Sequence, residues 1–334
     1  MSSNKNSNIF FKDKNILVTG GLGFIGSALC IKLVEAGAKI TIVDSMIPEY
    51  GGNIFNINPI KKKVFINYCD ITDRNAMEYL VRDKDYIFHL AGQVSHIMSL
   101  TNPFPDIDYN ITATVILLES CKKYNPEAKI IYTGTRGQYG PATKLPVSED
   151  APTNPRGIYE ITNLTAEKIF LVYQASHGIK SILTRITNVY GPRAQMKSNK
   201  YGVANWLIRL AIDKQDIPIF GDGKIKRDFI YIDDVVNALL ILPQNDNCYG
   251  EIFNIGDDKY SNFQILAKSI IKALGYGSIK YTEFSEERKK QEPGDFYSDI
   301  TKIKKYIGWR PIVSLDKGVK ETCAYYLKYK KYYW

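Results

Sequence analysis

The sequence predicts an α/β protein whose core is a doubly wound parallel sheet, with a smaller second lobe. Through residue 185, short apolar runs typical of buried strands alternate with segments of helical periodicity. A glycine-rich turn joins the first apolar run to the first helical segment, as in a Rossmann-type βαβ unit. After residue 185 the alternation becomes less regular. We therefore expect a Rossmann domain over residues 9–185, to which some later segments return, and a C-terminal lobe formed mostly by residues 186–334.

The glycine-rich turn indicates a dinucleotide site. Gly20, Gly23 and Gly26 follow the first apolar run. Glycine at these positions allows a tight turn, a close approach of backbone to a pyrophosphate, and close packing of helix on strand. The helix that follows directs free N–H groups and the positive end of its dipole at the phosphates. Asp44 ends the second apolar run, where its carboxylate can accept hydrogen bonds from ribose hydroxyls and would repel a 2′-phosphate. The pattern favours NAD(H) over NADP(H); the alternative is a glycine-rich turn in an unrelated α/β protein.

The remaining segments of the first domain continue the alternation. We predict strands at residues 40–43, 64–68, 86–90, 129–133 and 180–185, helices at 27–36, 75–81, 110–124 and 159–177, and loops at 45–59 and 141–156. Ala91 and Gly92 end one strand, where small residues suit a close approach to a cofactor. Asp70 ends another, where it could cap the next helix or bind an adenine amino group.

The second lobe has weaker signals. We predict a loop at 188–193, helices at 203–214, 235–242 and 263–274, and a Gly-Asp-Gly turn between short strands at 217–228. Residues 325–334 are aromatic and basic and are predicted to form a closing helix or tail.

Composition narrows the class of protein. The 334 residues carry a formal charge of +9, which we interpret as a lysine-rich surface that can also steer an anionic substrate. No apolar run approaches the roughly 20 residues of a membrane span, and the polar residues 1–8, expected to fray, lack the core of a secretion signal. Five scattered cysteines fit free thiols in a reducing cytoplasm better than disulfides or a metal site. No nucleic-acid motif or metal-ligand cluster is present in the sequence.

Several motifs together resemble the extended short-chain dehydrogenase/reductase family, in its branch of NAD-dependent sugar-nucleotide epimerases and dehydratases. They are Thr19-Gly-Gly-Leu-Gly-Phe-Ile-Gly26, His89-Leu-Ala-Gly92, Thr135 four residues before Tyr139-Gly140, Tyr159 with its helix, Arg185-Ile-Thr-Asn-Val-Tyr-Gly-Pro192, Phe220-Gly-Asp-Gly223, Arg227-Asp-Phe-Ile-Tyr-Ile-Asp-Asp234, Pro293-Gly-Asp295 and Gly308-Trp-Arg-Pro311. The resemblance covers nearly the whole chain and is specific for the family, but not for one substrate.

The resemblance implies roles for individual residues. Tyr159 resembles the catalytic tyrosine that takes the proton of a sugar hydroxyl, and Thr135 the hydroxyl residue that orients the same oxygen. Asn188 resembles a contact to the sugar or its phosphate, and Arg227 a clamp on the diphosphate. The alternatives are a packing tyrosine, a turn asparagine and a surface arginine.

The predicted contacts fall into two sets. For the cofactor they are Gly20, Gly23, Phe24, Ile25, Gly26, Asp44, Asp70, Ile71, Leu90, Ala91, Gly92, Asn110, Tyr159 and Asn163. For the substrate they are Thr135, Arg136, Asn188, Arg193, Arg227 and Arg288. Tyr159, Thr135 and Asn163 form the expected catalytic group, and no metal is expected.

The sequence departs from the family pattern at Asn163, where the resemblance implies a lysine. That lysine holds the nicotinamide ribose and lowers the pKa of the tyrosine, which is ordinarily near ~10. Asparagine can bind the ribose but supplies no charge. We therefore expect slower redox chemistry or a different base. His96 is the obvious substitute in the cofactor half, since imidazole titrates near ~6.5; the alternative is a histidine bonded to backbone at the start of a helix.

Two further departures bear on the reaction and on the substrate. Dehydratases of this branch carry acidic residues where this chain has Arg136 and Gly137, so 4,6-dehydration is disfavoured. Glu292 stands where relatives have an arginine before Pro-Gly-Asp, a phosphate-binding task that Arg288 could take over.

These observations predict an NAD-dependent enzyme that oxidises a secondary hydroxyl, at C4, of a nucleotide-activated sugar in glycoconjugate or surface-polysaccharide synthesis. It would be a 4-epimerase or a 4-dehydrogenase. The rival hypothesis is a catalytically degenerate NAD(H)-binding sensor or scaffold, which the missing lysine supports and the retained Thr135, Tyr159 and Arg227 oppose. The helices beginning near Asn110 and Tyr159 resemble those that pair two subunits in this family, so we expect a homodimer or higher homo-oligomer in the cytoplasm.

Overall fold

Thirteen strands form in the computed structural model, which describes residues 9–48, 50–284 and 292–334. In chain order they are β1 (Asn15–Thr19), β2 (Lys39–Val43), β3 (Val64–Asn67), β4 (Tyr86–His89), β5 (Lys129–Thr135), β6 (Ser181–Ile186), β7 (Asn188–Tyr190), β8 (Ile217–Phe220), β9 (Lys226–Arg227), β10 (Phe229–Tyr231), β11 (Ile252–Ile255), β12 (Ser261–Asn262) and β13 (Ile279–Thr282).

Seven of these strands form one parallel sheet in the order β11-β6-β5-β4-β1-β2-β3. The order reverses beside β1, which pairs with β2 on one side and β4 on the other. Ligands bind at such a switch point, outside the carboxyl ends of the strands. The predicted doubly wound Rossmann-type sheet is therefore confirmed. The late strand β11 lies at the sheet edge beside β6.

The principal helices surround this sheet and build the second lobe. They are α1 (Phe24–Glu35), α2 (Arg74–Leu80), α3 (His96–Thr101), α4 (Ala113–Tyr124), α5 (Ile158–His177), α6 (Val203–Ile212), α7 (Ile232–Ile241), α8 (Phe263–Leu274), α9 (Thr301–Ile307) and α10 (Leu315–Tyr329). A π-helical segment, Ile107–Thr112, leads into α4.

Alternation along β1 creates the two layers of the core. Ile16 and Val18 join the cluster beneath α1 and α7, whereas Leu17 joins the cluster beneath α2, α4 and α5. All three side chains are fully buried, as expected for a strand covered by helices on both faces. None of the described helices has the length and apolar character needed to cross a membrane. All five cysteines are free thiols.

The second lobe contains three short strand pairs, β7 with β10, β8 with β13 and β9 with β12. Helices α6, α8 and α10 pack beside them. The prediction of a loop at 188–193 was wrong for its first three residues, since Asn188–Tyr190 is a strand that pairs in parallel with Phe229–Tyr231. Three residues are too few to show a strand pattern, and the partner lies about 40 residues away in the sequence. The sequence predicted a closing helix or a tail at the end of the chain, and the structure shows a helix there.

Candidate active site

A cleft of about 890 Å³ opens at the carboxyl ends of the central strands and extends between the main sheet and the second lobe. The glycine turn, the end of β4, the start of α5 and residues of β7 to β9 all contribute to its walls. Of the predicted site residues, those that line it are Gly20, Gly23, Phe24, Ile25, Gly26, Asp44, Ile71, Leu90, Ala91, Gly92, Asn110, Thr135, Arg136, Tyr159, Asn163, Asn188 and Arg227.

The glycine turn fits a pyrophosphate. Gly20 has φ +69°, and a Cβ there would lie 2.9 Å from the backbone nitrogen of Ala91. A Cβ on Gly26 would lie 2.2 Å from the carbonyl oxygen of Gly20. No side chain caps the N-terminus of α1 at Gly23, so its first N–H groups are available to phosphate oxygens. These residues form a cradle that an added side chain would fill.

Asp44 lies where the ribose of a dinucleotide is expected. Its Oδ2 accepts a hydrogen bond from the Leu22 N–H (3.0 Å) and its Oδ1 one from the Met46 N–H (2.9 Å). Burial raises the pKa of this carboxyl, and the two backbone hydrogen bonds oppose that rise. Each oxygen retains a lone pair with which it can accept a ribose hydroxyl. The residues present therefore fit NAD.

Asn110 supports the cofactor half of the cleft through its amide. Its Oδ1 accepts from the Gln93 N–H (3.0 Å), and its Nδ2 donates to Oγ1 of Thr162 (3.0 Å). A Cβ on Gly92 would lie 2.7 Å from this Oδ1. Asn110 thus fixes the chain after β4 against α5, and a side chain at position 92 would displace its amide.

Tyr159 and Thr135 come together although 24 positions separate them. The phenol is hydrogen-bonded to Thr135, whose Oγ1 also accepts from the Gly137 N–H (3.1 Å). Burial raises the pKa of Tyr159 to about 12, and the negative charges of Glu160 and Asp106 add to the rise. The Thr135 hydrogen bond and the Arg136 charge oppose it only in part. At neutral pH this phenol is protonated.

Both polar atoms of the Asn163 amide are hydrogen-bonded to other parts of the protein. Its Nδ2 donates to the backbone oxygen of Tyr159 (2.8 Å), and its Oδ1 accepts from the Tyr132 hydroxyl (3.2 Å). The side chain is buried at the edge of the cleft. One N–H of the amide is left for a ribose, but no positive charge lies at this position.

His96 and Glu160 form a pair that sequence reasoning found only in part, because Glu160 was missed. Nδ1 of His96 is hydrogen-bonded to Oε1 of Glu160. The His96 ring packs edge-on against the Tyr159 ring, with centroids 4.8 Å apart. The other carboxylate oxygen of Glu160 is buried and without a hydrogen-bond partner in the described part of the chain. The sequence offered one signal for Glu160, namely an acidic residue directly after Tyr159 and close to Gly157.

Two arginines bring positive charge to the substrate half. Arg136 lies over the Phe296 ring at 4.9 Å, and burial, together with the charge of Arg227, lowers its pKa to about 10. The buried Arg227 donates to the carbonyl oxygen of Gly294 (2.6 Å) and forms an ion pair with Glu292.

Nδ2 of Asn188 donates to the carbonyl oxygen of Asp228, at 3.3 Å. Two polar groups that sequence reasoning missed, Nδ2 of Asn205 and Oγ1 of Thr187, line the same cleft and have no partner among the described residues. They are available to polar groups of a ligand.

Two predicted contacts, Asp70 and Arg193, are not in the cleft wall. Asp70 binds the N–H and hydroxyl of Thr72, and Asp73 rather than Asp70 caps α2. Arg193 has φ +76°, which directs its side chain to the backbone oxygen of Asn56 (3.2 Å) and to Tyr325. Arg288 lies outside the described residues. No group of three metal-ligating side chains occurs in the described ranges.

Comparison with known proteins places this geometry in context. The sequence model of the NAD dependent epimerase/dehydratase family matches residues 16–256. A UDP-N-acetyl-alpha-D-glucosaminuronate decarboxylase of Bacillus cytotoxicus is 33% identical over 94% of this chain and 98% of its own.

Solved structures agree with the sequence matches. A UDP-glucose 4-epimerase from Thermotoga maritima, solved with UDP-glucose, has 33% identity and a TM-score of 0.86 over 95% of this chain and 99% of its own. A UDP-glucuronic acid 4-epimerase from Bacillus cereus, solved with UDP-glucuronic acid and NAD, has 28% identity and a TM-score of 0.85 over 94% and 99% of the two chains.

Proposed function

The chain belongs to the NAD-dependent epimerase/dehydratase family, and we propose that it is a 4-epimerase of a nucleoside-diphosphate sugar. It is thus an NAD-dependent enzyme that modifies sugar nucleotides, as the sequence predicted. The 4-epimerases from Thermotoga maritima and Bacillus cereus are solved with UDP-sugars, which supports uridine diphosphate as the nucleotide and C4 as the reacting carbon. When bound, NAD supplies a hydride acceptor for the sugar alcohol and a hydride donor for the resulting ketone.

The hydrogen-bonded pair of Tyr159 and Thr135 carries this proposal. The pair lies in the same cleft as the glycine turn, so a hydroxyl bound between them is next to the cofactor site. Thr135 Oγ1 orients the sugar oxygen, and the protonated phenol of Tyr159 donates a hydrogen bond to it. A sensor would not require this pair.

Charge in the second lobe supports an anionic substrate. Arg227 lines the cleft, and the planar fork of its guanidinium suits a diphosphate. Asn188 lines the same cleft. Arg136 and Gly137 replace the two acids that elimination of water requires, so we propose no dehydratase activity.

A substrate panel tests the proposal. Purified enzyme with NAD is incubated with UDP-, dTDP-, GDP- and CDP-sugars, and products are followed by NMR together with the absorbance of NADH. A 4-epimerase converts one epimer into the other without net NADH. Stoichiometric NADH would indicate a dehydrogenase, and no turnover together with tight NAD binding would indicate a sensor. The Tyr159→Phe variant, which retains the ring, is the matched control and should lose at least ~100-fold in kcat.

We also propose a homodimer formed by α4 and α5 of each subunit. Exposed apolar side chains occur on α5, at Ile161 and Val172, and on the segment that leads into α4, at Phe104 and Ile107. Such a face is costly to leave in water. Light scattering should give twice the chain mass, and Val172→Glu should give the monomer; a monomeric wild type would contradict this.

A further inference from the structure

We propose that His96, oriented by Glu160, is the group that accepts and returns the proton of the sugar hydroxyl in this cleft. The proposal rests on the function proposed above and adds two residues to it. Nδ1 of His96 is bonded to the Glu160 carboxylate, and the His96 ring lies against the Tyr159 ring. Both residues line the cleft.

The chemistry of the carboxylate fixes which ring nitrogen is free. Burial raises the pKa of the Glu160 carboxyl, but the hydrogen bond and charge of His96 and the charge of Arg136 together lower it by more. The net pKa is below its ordinary value, so Glu160 is ionised at neutral pH. An ionised carboxylate only accepts hydrogen bonds, so Nδ1 must donate. When the imidazole is neutral, its lone pair is therefore on Nε2, for which no partner occurs among the described residues. This is how a carboxylate orients an imidazole base.

The backbone on both sides makes room for Glu160. A Cβ on Gly137 would lie 2.6 Å from Cγ of Glu160, and a Cβ on Gly157 would lie 2.2 Å from its Oε2. Its side chain is only 13% exposed, whereas that of His96 is 59% exposed and reachable from the cleft. The carboxylate is therefore a fixed support and the imidazole the accessible group.

The charged and titratable groups around the pair come from three elements. Tyr159 is adjacent on α5, Arg136 follows β5, and Asp106 precedes α4. The phenol is protonated at neutral pH and Asn163 brings no cation beside it. The His96 imidazole, whose ring centroid lies 4.8 Å from that of the phenol, is a second group that can accept a proton there.

The proposed transfer is simple. The O–H bond of the sugar hydroxyl breaks, and an N–H bond forms at Nε2 of His96. In the return direction that N–H bond breaks and the hydroxyl is restored, so no net proton is released. Thr135 and Tyr159 hold the oxygen in place throughout.

Kinetics of His96→Asn give the first test. We expect kcat to fall ~100-fold, with KM changed less than threefold, and the acid limb of the pH profile of kcat to disappear. His177→Asn, at the exposed C-terminal end of α5, is the matched control and should behave as wild type. Full activity of His96→Asn with an unchanged profile would overturn the proposal while leaving the proposed function intact.

The second test needs no turnover. The chain has three histidines, so ¹⁵N-labelled imidazoles can be assigned from His96→Asn and His177→Asn. His89 is buried, and burial lowers its pKa to about 4, so it is neutral at neutral pH. We expect the His96 signal to show a protonated Nδ1 and a bare Nε2, and Glu160→Gln to abolish that preference. A neutral His96 ring that carries its proton on Nε2 in the wild type would overturn the inference whether or not a substrate has been found.

Discussion

The Nδ2 of Asn163 donates a hydrogen bond of 2.8 Å to the backbone oxygen of Tyr159, one helical turn earlier. Together with the Tyr132 hydroxyl on its Oδ1, this bond holds the amide at the edge of the cleft. The position where the family has a cation next to the phenol is therefore filled by a neutral, anchored group. The reactivity of Tyr159 must be explained without a neighbouring ammonium.

A lysine at position 163 should lower the pKa of Tyr159, so that its phenol can give up a proton and act as a base. A positive charge within a few ångströms lowers a tyrosine pKa by about 1–3 units, and that of Tyr159 is about 12. In the His96→Asn background we expect Asn163→Lys to recover at least ~10-fold of the lost kcat. Asn163→Gln in the same background is the control and should recover nothing. Equal rates for both double variants would show that charge at this position does not matter.

The ion pair of Arg227 with Glu292 should weaken binding of a diphosphate. The guanidinium is 3% exposed and Glu292 25% exposed, so the acid neutralises a clamp that has little access to solvent. We expect Glu292→Gln to tighten UDP binding roughly tenfold, about 1.4 kcal/mol, by calorimetry on the NAD-saturated enzyme. Glu251→Gln removes an acid paired with Lys302 away from the cleft and should change nothing. Weaker UDP binding by Glu292→Gln would mean that the acid positions Arg227 instead.

Gly26→Ala should abolish tight NAD binding. The new methyl group would meet the carbonyl oxygen of Gly20 at 2.2 Å, so the turn that receives the pyrophosphate must shift. Overpacking of this kind costs about 1–3 kcal/mol, or roughly 10- to 100-fold in affinity if the strain is relieved by opening the turn. Gly275→Ala is a matched control, since Gly275 has φ +77° at the end of α8 and open space around it. It should lower stability without changing NAD binding, which fluorescence titration measures.

The sequence predicted those parts of the site that depend on local order. The turn after β1 is specified by three closely spaced glycines, and Asp44 by its position at a strand end. The acid next to Tyr159 was visible in the sequence, but its pairing with His96 was not, because that pairing depends on the space that Gly137 and Gly157 leave between separate elements. Arg193 lies away from the cleft wall for a different reason. Its left-handed backbone, which the neighbouring residues do not signal, reverses the direction of its side chain.

The fold shows the same division between local and long-range information. Alternation of apolar runs and helices predicted the central sheet, because each strand carries its own signal. The pairing of β7 with β10 depends on contacts between segments about 40 residues apart and has no local signal. The late strand β11 extends the main sheet, but Asn254 interrupts its short apolar run. The sequence therefore predicted only that some later segments return to the first domain, without identifying this strand.

The buried ion pair between Glu167 and Arg185 should make stability depend on pH. Both side chains are almost fully buried, and two hydrogen bonds of 2.7 and 2.8 Å join them. Burial raises the pKa of the Glu167 carboxyl, but the hydrogen bonds and charge of Arg185 lower it by more. The net pKa is below its ordinary value of about 4.3. A carboxyl whose pKa is lowered by folding stabilises the protein above its unfolded pKa. This contribution is lost as the pH falls through the folded pKa.

Glu167→Gln should therefore destabilise the protein by about 3–5 kcal/mol at neutral pH, because it leaves the Arg185 charge buried and uncompensated. The difference from wild type should shrink as the pH falls below about 4, since protonation then removes the same charge from the wild type. Urea unfolding at a series of pH values measures both quantities. Glu35→Gln removes an acid from an exposed pair with Lys32 and should cost less than about 1 kcal/mol at every pH. A difference for Glu167→Gln that stays constant down to low pH would show that packing, and not the ion pair, is responsible.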